Sequence, residues 1–413
     1  MGFDSGSVSF RRFIVSGKQP GQIDQDLLDR LAAHAFQERT IGRPDEIEYG
    51  WCGGRHVLDA QFTFEHNVFS EALFFALRID TNKIPAELKR AYVQLEEEAA
   101  AAQNPSGFAS KAQKKAARES AQRKIDDELR EGRHRKTKLV PVLWHLPSST
   151  VFSPAGSTAA EKLMEIFERT FDLQLQPLTA GTLAYRMMEE RGQTRDYEDL
   201  RPTVFAPAPH GDDTLPEYPW VLKGPQPKDF LGNEFLLWLW HEADAGEGSI
   251  EIGETNSVSI LFERMLDLDC AYGQSGRTTL RAAGPAVMPE AADALRTGKL
   301  PRRASLTLES GRDIFSLNFN AESFAIGTLK LPENEEADSA RTLFEHRVEL
   351  LRDLCQILGG LYDTFLTRRA GGQWESHVTR IKSWIAARAR KTSAATAEHG
   401  NHARQRAQEV AEA

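Results

Sequence analysis

The chain has 413 residues, 40% hydrophobic and 27% charged, with a formal net charge of −9. That length calls for two or three domains, and no apolar run approaches the roughly 20 residues of a membrane span. Three cysteines far apart, Cys52, Cys270 and Cys355, exclude a disulfide framework or a cysteine-built zinc site and fit a reducing cytosol. The total charge argues against a polyanion partner, but its distribution does not. Residues 111–138 hold 11 Lys/Arg against 5 Asp/Glu, and residues 368–391 hold 7 against 1. The remainder has 33 basic and 54 acidic residues, so one surface can attract an anion while the rest repels it. The bland alternative is that both runs are solvated helix faces.

In chain order, Ser7 to Val15 reads as a strand, and Asp24 as the N-cap of a helix with Leu27, Leu28, Leu31, Ala35 and Phe36 inward. A turn is expected around Gly42-Arg43-Pro44, and a short strand at Phe62, Phe64 and Val68. Leu73 to Leu77 is an apolar strand, and Leu88, Tyr92, Leu95, Ala99 and Ala102 form the stripe of a following helix. Gln103 to Gly107 breaks that helix. A second one carries Lys111, Lys114, Lys115, Arg118, Arg123 and Lys124 as a dense positive face. The charge continues through Arg133, Arg135, Lys136 and Lys138 into a strand from Leu139 to Trp144. The pattern predicts a helical hairpin projecting from a sheet, with Phe108 at its tip as a packing or dimer-contact residue.

Val151 to Ser153 reads as a strand, Thr158 to Phe171 as an amphipathic helix and Leu173 to Leu178 as a strand. Seven prolines between 202 and 227 mark a linker or irregular region at 191–228. Asp229 to Glu242 is apolar all round, so as a helix it must be buried. Residues 249–265 read as a hairpin, Thr278 to Ala282 as an edge strand, and Pro289 to Arg296 as a short helix ending at Gly298. Arg303–Leu308 and Ile314–Phe319 should pair around Ser310-Gly311-Arg312, with a strand from Phe324 to Leu331 next. A long helix from Ser339 to about Leu366 and a basic helix at 367–392 follow; 393–413 lack large apolar groups and are expected to be disordered.

No catalytic arrangement emerges, so the chain reads as a non-enzyme without a cofactor or metal. Gly273 to Thr279 has a phosphate-loop flavour but lacks the Lys and the upstream Gly, which favours a turn. His210-Gly211-Asp212-Asp213 has no third ligand segment. The neighbouring acids Asp126-Asp127 and Glu96-Glu97-Glu98 diverge around a helix rather than converging on a metal pair.

The ordered series Leu31-Ala32-Ala33-His34-Ala35-Phe36, Gly50-Trp51, Ala76-Leu77-Arg78 to Lys83-Ile84-Pro85, Val151 to Ala155 and Leu175 to Leu178 resembles RdgC, the bacterial recombination-associated family. Gly298 to Ala304, Thr328 to Leu331 and Leu358-Gly359-Gly360 extend the likeness over most of 7–366; 191–228 and the tail after 366 are extra material. The resemblance implies an α+β fold with mixed or antiparallel sheets whose two halves form a ring-type homodimer. It implies duplex DNA, and possible single-stranded DNA, bound without strong sequence preference. It further implies modulation of RecA-type recombination at the cytoplasmic nucleoid. The expected layout is a domain at 1–190 bearing a basic hairpin at 83–138, the 191–228 linker, and a domain at 229–366. Arg302, Arg303 and Lys330 join the hairpin cations as expected DNA contacts. The rival reading is a phage- or defence-related scaffold that binds protein and keeps the fold without DNA.

Overall fold

Alternating apolar residues build two antiparallel sheets, each with its own helices. In a computed structural model the described residues are 2–38, 47–209, 214–221, 227–245, 248–253, 256–332 and 339–388. The expected turn at 42–44, the His210–Asp213 cluster and the tail at 393–413 lie outside them. The fold is mixed α+β and divides into two compact units, Val15–Gln176 and Met1–Ile14 together with Pro177–Ala413. Among the described residues no helix is long and apolar enough to cross a membrane.

The Val15–Gln176 unit has a sheet in the order Ile47–Cys52, Ala72–Asn82, Arg135–His145, Thr150–Ser153. Ala72–Asn82 is buried at nearly every position, as a central strand should be. Helix Gln25–Ala33 starts as its sequence predicts, Asp24 accepting from the Leu27 amide at 3.2 Å. Helix Ser157–Phe171 buries Leu163, Ile166, Phe167 and Phe171. Its Phe167 ring meets Trp144 of the sheet edge-on at 5.1 Å, and within the sheet Trp51 meets Phe75 edge-on at 4.9 Å. The Trp51 indole donates to the Thr170 hydroxyl at 2.8 Å, which satisfies the one polar atom of a fully buried side chain. Of the strand expected at Phe62, Phe64 and Val68, only the two residues Val68–Phe69 form one, and Phe64 is outside it. Thr63 and Asn67 cap a single helical turn, Phe64–Asn67, whose buried Asn67 amide donates to Gly53 and Phe74 carbonyls. Side-chain hydrogen bonds there override strand propensity.

In the other unit the sheet runs Thr278–Ala282, Asn256–Cys270, Lys299–Ser310, Asp313–Asn320, Ile326–Lys330, then the start of strand Val8–Ser16; Ser249–Ile252 also pairs with Asn256–Cys270. The predicted hairpin closes with Ser310 opposite Asp313. Helix Phe230–Ala245 is buried from Phe230 through His241, lying between sheet and helix Ala340–Ala370. Phe235 contacts Phe319 and Phe324 on one side and Tyr362 and Phe365 on the other. Gly232 sits so close to the Ala321 carbonyl that no Cβ fits. Trp238 and Trp240 are core residues, as the flanking leucines predict.

Two expectations shift. Helix Ala180–Glu190 and residues 8–14 of the first strand belong to this second unit, so the boundary falls at Gln176/Pro177 rather than at 190. The described part of 191–228 is irregular but is no free linker: it contains helix Thr194–Asp199 and buries Tyr197, Leu200, Phe205 and Tyr218. Lys228 holds it, its ammonium donating to the Tyr197, Glu198 and Leu200 carbonyls at 2.6, 2.7 and 2.9 Å. After Gly371 the described part of the basic segment is a helix at 374–388, with Trp374, Val378, Ile381 and Trp384 buried.

Inside this unit Glu234, fully buried, accepts from Arg369 Nε at 2.7 Å and from the Thr203 amide at 2.6 Å. Removing one partner strands the other charge in the core. Glu234→Ala is therefore expected to lower unfolding free energy by about 3–5 kcal/mol in a denaturant titration, against about 1 kcal/mol or less for the exposed pair partner Glu87→Ala.

Candidate nucleic-acid interface

The hairpin consists of helices Ala86–Ala102 and Lys111–Arg130. No residue of the first is buried, and Leu95 of its predicted apolar stripe is 58% exposed, because the helix packs on one neighbour whose seam is mostly alanine. The second helix buries Ala117, Ala121, Ile125 and Glu128. With so little apolar area, polar ties set the geometry. At the tip, Ser110 and Gln113 form a capping box, and Asn104 bonds Gln113 at 2.8 Å. Phe108 is 80% exposed there. At the base, Asn82 donates to the Leu129 carbonyl at 2.8 Å, and the Tyr92 hydroxyl to Glu128 at 2.6 Å. Glu128 also meets His134 at 2.9 Å and Arg133 at 3.7 Å.

The positive charge is not one face. At about 100° per residue, Lys111, Lys114, Lys115 and Arg118 share an arc of about 100°, whereas Arg123 and Lys124 project elsewhere. Lys124 lies 4.6 Å from the Tyr92 ring. Arg118 pairs with Glu97 at 3.2 Å, and Lys115 approaches Glu119 at 4.0 Å. Both are exposed pairs of small energetic weight. Lys111, Lys114 and Arg123 are exposed and have no carboxylate in ion-pair range among the described residues.

Arg133 follows the helix and pairs with Glu131 at 2.6 Å as well as with Glu128. Arg135, Lys136 and Lys138 begin the next strand rather than continuing the helix. Lys136 and Lys138, two residues apart, are exposed on one face. Arg135 is a structural residue. It reaches Asp80 at 2.9 Å, Glu48 at 2.9 Å and Glu38 at 2.5 Å. Burial alone would raise the Asp80 pKa, but hydrogen bonds from Arg78 and Thr137 outweigh it and hold this carboxyl below its ordinary value.

Arg302, Arg303 and Lys330 belong to the other unit. Arg302 is engaged by Glu322 at 2.8 Å and Asp269 at 3.2 Å and stacks 4.6 Å from the Trp220 ring. Arg303 and Lys330 are exposed on the sheet face opposite the core. That face carries a cross-strand row of polar side chains: Ser305 to Asn318 at 2.5 Å, Asn318 to Thr328 at 2.6 Å, and the Thr328 amide to Ser9 at 2.9 Å. Arg11, which stands out in no sequence pattern, is exposed on the strand beside Lys330. Isolated cations on separate strands leave no one-dimensional signal.

Gly273 to Arg277 is a turn, as expected, leading into strand Thr278–Ala282, and the Tyr272, Gln274 and Ser275 amides face the Cys270 sulfur. Among the described residues no group of three His, Cys, Asp or Glu side chains could hold a metal ion. No protein-family model matches the chain, and no curated protein matches it.

The Glu128 carboxyl lies below its ordinary pKa, chiefly through the His134 hydrogen bond and then that of Tyr92. A depressed carboxyl pKa supplies stability above the unfolded value of about 4.3 and loses it as pH falls through the folded value. Amide protection at the hairpin base, corrected for intrinsic exchange at each pH, should therefore fall below about pH 4.3, and Glu128→Gln should remove that fall.

Proposed function

We propose that this protein binds duplex DNA through phosphate contacts, without strong sequence preference, and modulates RecA-type recombination as a ring-type homodimer of the RdgC kind. The observation that carries the reading is the set of exposed cations, Lys111, Lys114, Arg123, Lys136 and Lys138, gathered along one short stretch of an acidic chain without carboxylate partners among the described residues. Lysine meets phosphate as a point charge and arginine as a bidentate donor. Such contacts position a duplex without reading its bases. Arg303, Lys330 and Arg11 are the corresponding contacts in the other unit. Arg135 and Arg302 are left out, since a guanidinium already shared among carboxylates offers a phosphate little.

Gel shifts on random duplex test the proposal. Changing Lys111, Lys114, Lys136 and Lys138 together to Gln should flatten the log–log salt dependence of affinity by roughly 0.9 for each phosphate that is no longer neutralised. Arg302→Gln should leave that slope unchanged while lowering stability. Equal affinity and slope in the fourfold variant and the parent would overturn the reading. The protein-binding alternative draws on the exposed apolar tip residue Phe108 and on Leu58, which is 75% exposed. It predicts no duplex shift at low salt and a protein partner that Phe108→Ser no longer holds. The mass of the particle in solution decides the dimer.

A further inference from the structure

Arg12 is a buried arginine without a counterion among the described residues. It lies on the core-facing side of strand Val8–Ser16 and is 6% exposed. Its Nε and Nη2 atoms have no hydrogen-bond partner, and no carboxylate pairs with it among the described residues. A buried guanidinium in that state carries a desolvation cost that no opposite charge among the described residues offsets. The group beside it is the Cys355 sulfur, on helix Ala340–Ala370. The three cysteines differ in access: Cys52 and Cys270 are buried, whereas Cys355 keeps part of its surface open.

We propose that Cys355 is an oxidation site for hydroperoxides and that Arg12 holds the oxygen gained. The sulfur attacks one peroxide oxygen; an S–O bond forms as the O–O bond breaks. The thiol and the hydroperoxide become a sulfenic acid and an alcohol, or water when hydrogen peroxide is the oxidant. Sulfur loses two electrons and the peroxide gains them. Release of the sulfenic proton to solvent leaves an anion against the guanidinium, which then has an acceptor for its idle N–H groups. In the reduced chain burial pushes the Cys355 thiol pKa up, with Arg12 pulling the other way, so the site is quiet at neutral pH and reacts faster as pH rises. The favourable pairing appears only in the product, which distinguishes the site from a thiolate kept reactive at rest.

The test uses the full chain and is independent of DNA binding. Reduced protein is exposed to graded hydrogen peroxide, free thiols are alkylated, dimedone traps sulfenic acid, and peptides are read by mass spectrometry. Cys355 is expected to give a dimedone adduct in the parent chain, and Arg12→Met to lower that adduct by about tenfold. Absence of an adduct at Cys355 in the parent, or an unchanged adduct in the Arg12 variant, overturns the proposal. Should Arg12→Met not fold, thermal melting of the parent chain decides instead. Oxidation is expected to raise the melting temperature by about 2 °C as the buried charge gains its counterion, and a fall overturns the proposal.

Discussion

The antiparallel ladder between Ala72–Asn82 and Arg135–His145 is the constraint on which the basic arm depends. Its register runs unbroken from Ala72 opposite His145 to Asn82 opposite Arg135, so it fixes the two chain ends from which the helical hairpin leaves. The hairpin lacks the apolar area to choose its own direction, since Ala117, Ala121 and Ile125 are its principal buried apolar residues. Orientation comes from the sheet and from the ties at the root, where Asn82 and Glu128 join helix to strand. The root is anchored in turn by the aromatic layer of Trp51, Phe75, Trp144 and Phe167.

Charge on this molecule sorts by partner rather than by number. Arg135 is shared among three carboxylates where the ladder ends, and Arg302 between two, so both are committed to the fold. Glu234 and Arg369 do the same in a fully desolvated setting, where the pair locks an irregular segment onto two helices. The exposed hairpin cations Lys111, Lys114 and Arg123 have no carboxylate in ion-pair range among the described residues. Where an anion would go is thus decided by the carboxylates as much as by the lysines.

Much of the architecture was legible in the sequence. Apolar periodicity located the hairpin helices, the all-round apolar helix at 229–242 and the paired strands around Gly311, because each of these depends on neighbours close in sequence. What one dimension hid were the long-range partners. Nothing near Arg135 announces Glu38 or Glu48, and nothing near Arg302 announces Asp269 or Glu322. The single turn at Phe64–Asn67 was misread because its apolar residues alternate as a strand does, while the caps from Thr63 and Asn67 decide the outcome. The proline-rich stretch was misjudged for a related reason. Proline excludes regular structure but not burial, and Tyr197 and Tyr218 carry that segment into the core.

The first strand has a consequence for how the chain is made. Val8 pairs with Leu329 and Phe10 with Ile326, so a segment near residue 10 waits for one more than 300 residues later. Residues 15–176 leave the ribosome with every piece of their own unit in hand. The edge of that strand which meets Ile326–Lys330 must then stay unpaired while roughly 150 further residues are translated, about 10–30 s at ordinary elongation rates. A bare strand edge held open that long invites wrong pairings. The alternation of serine and arginine at Ser9 and Arg11 places polar side chains on one side of that edge, making it a poor template for strangers until its partner arrives.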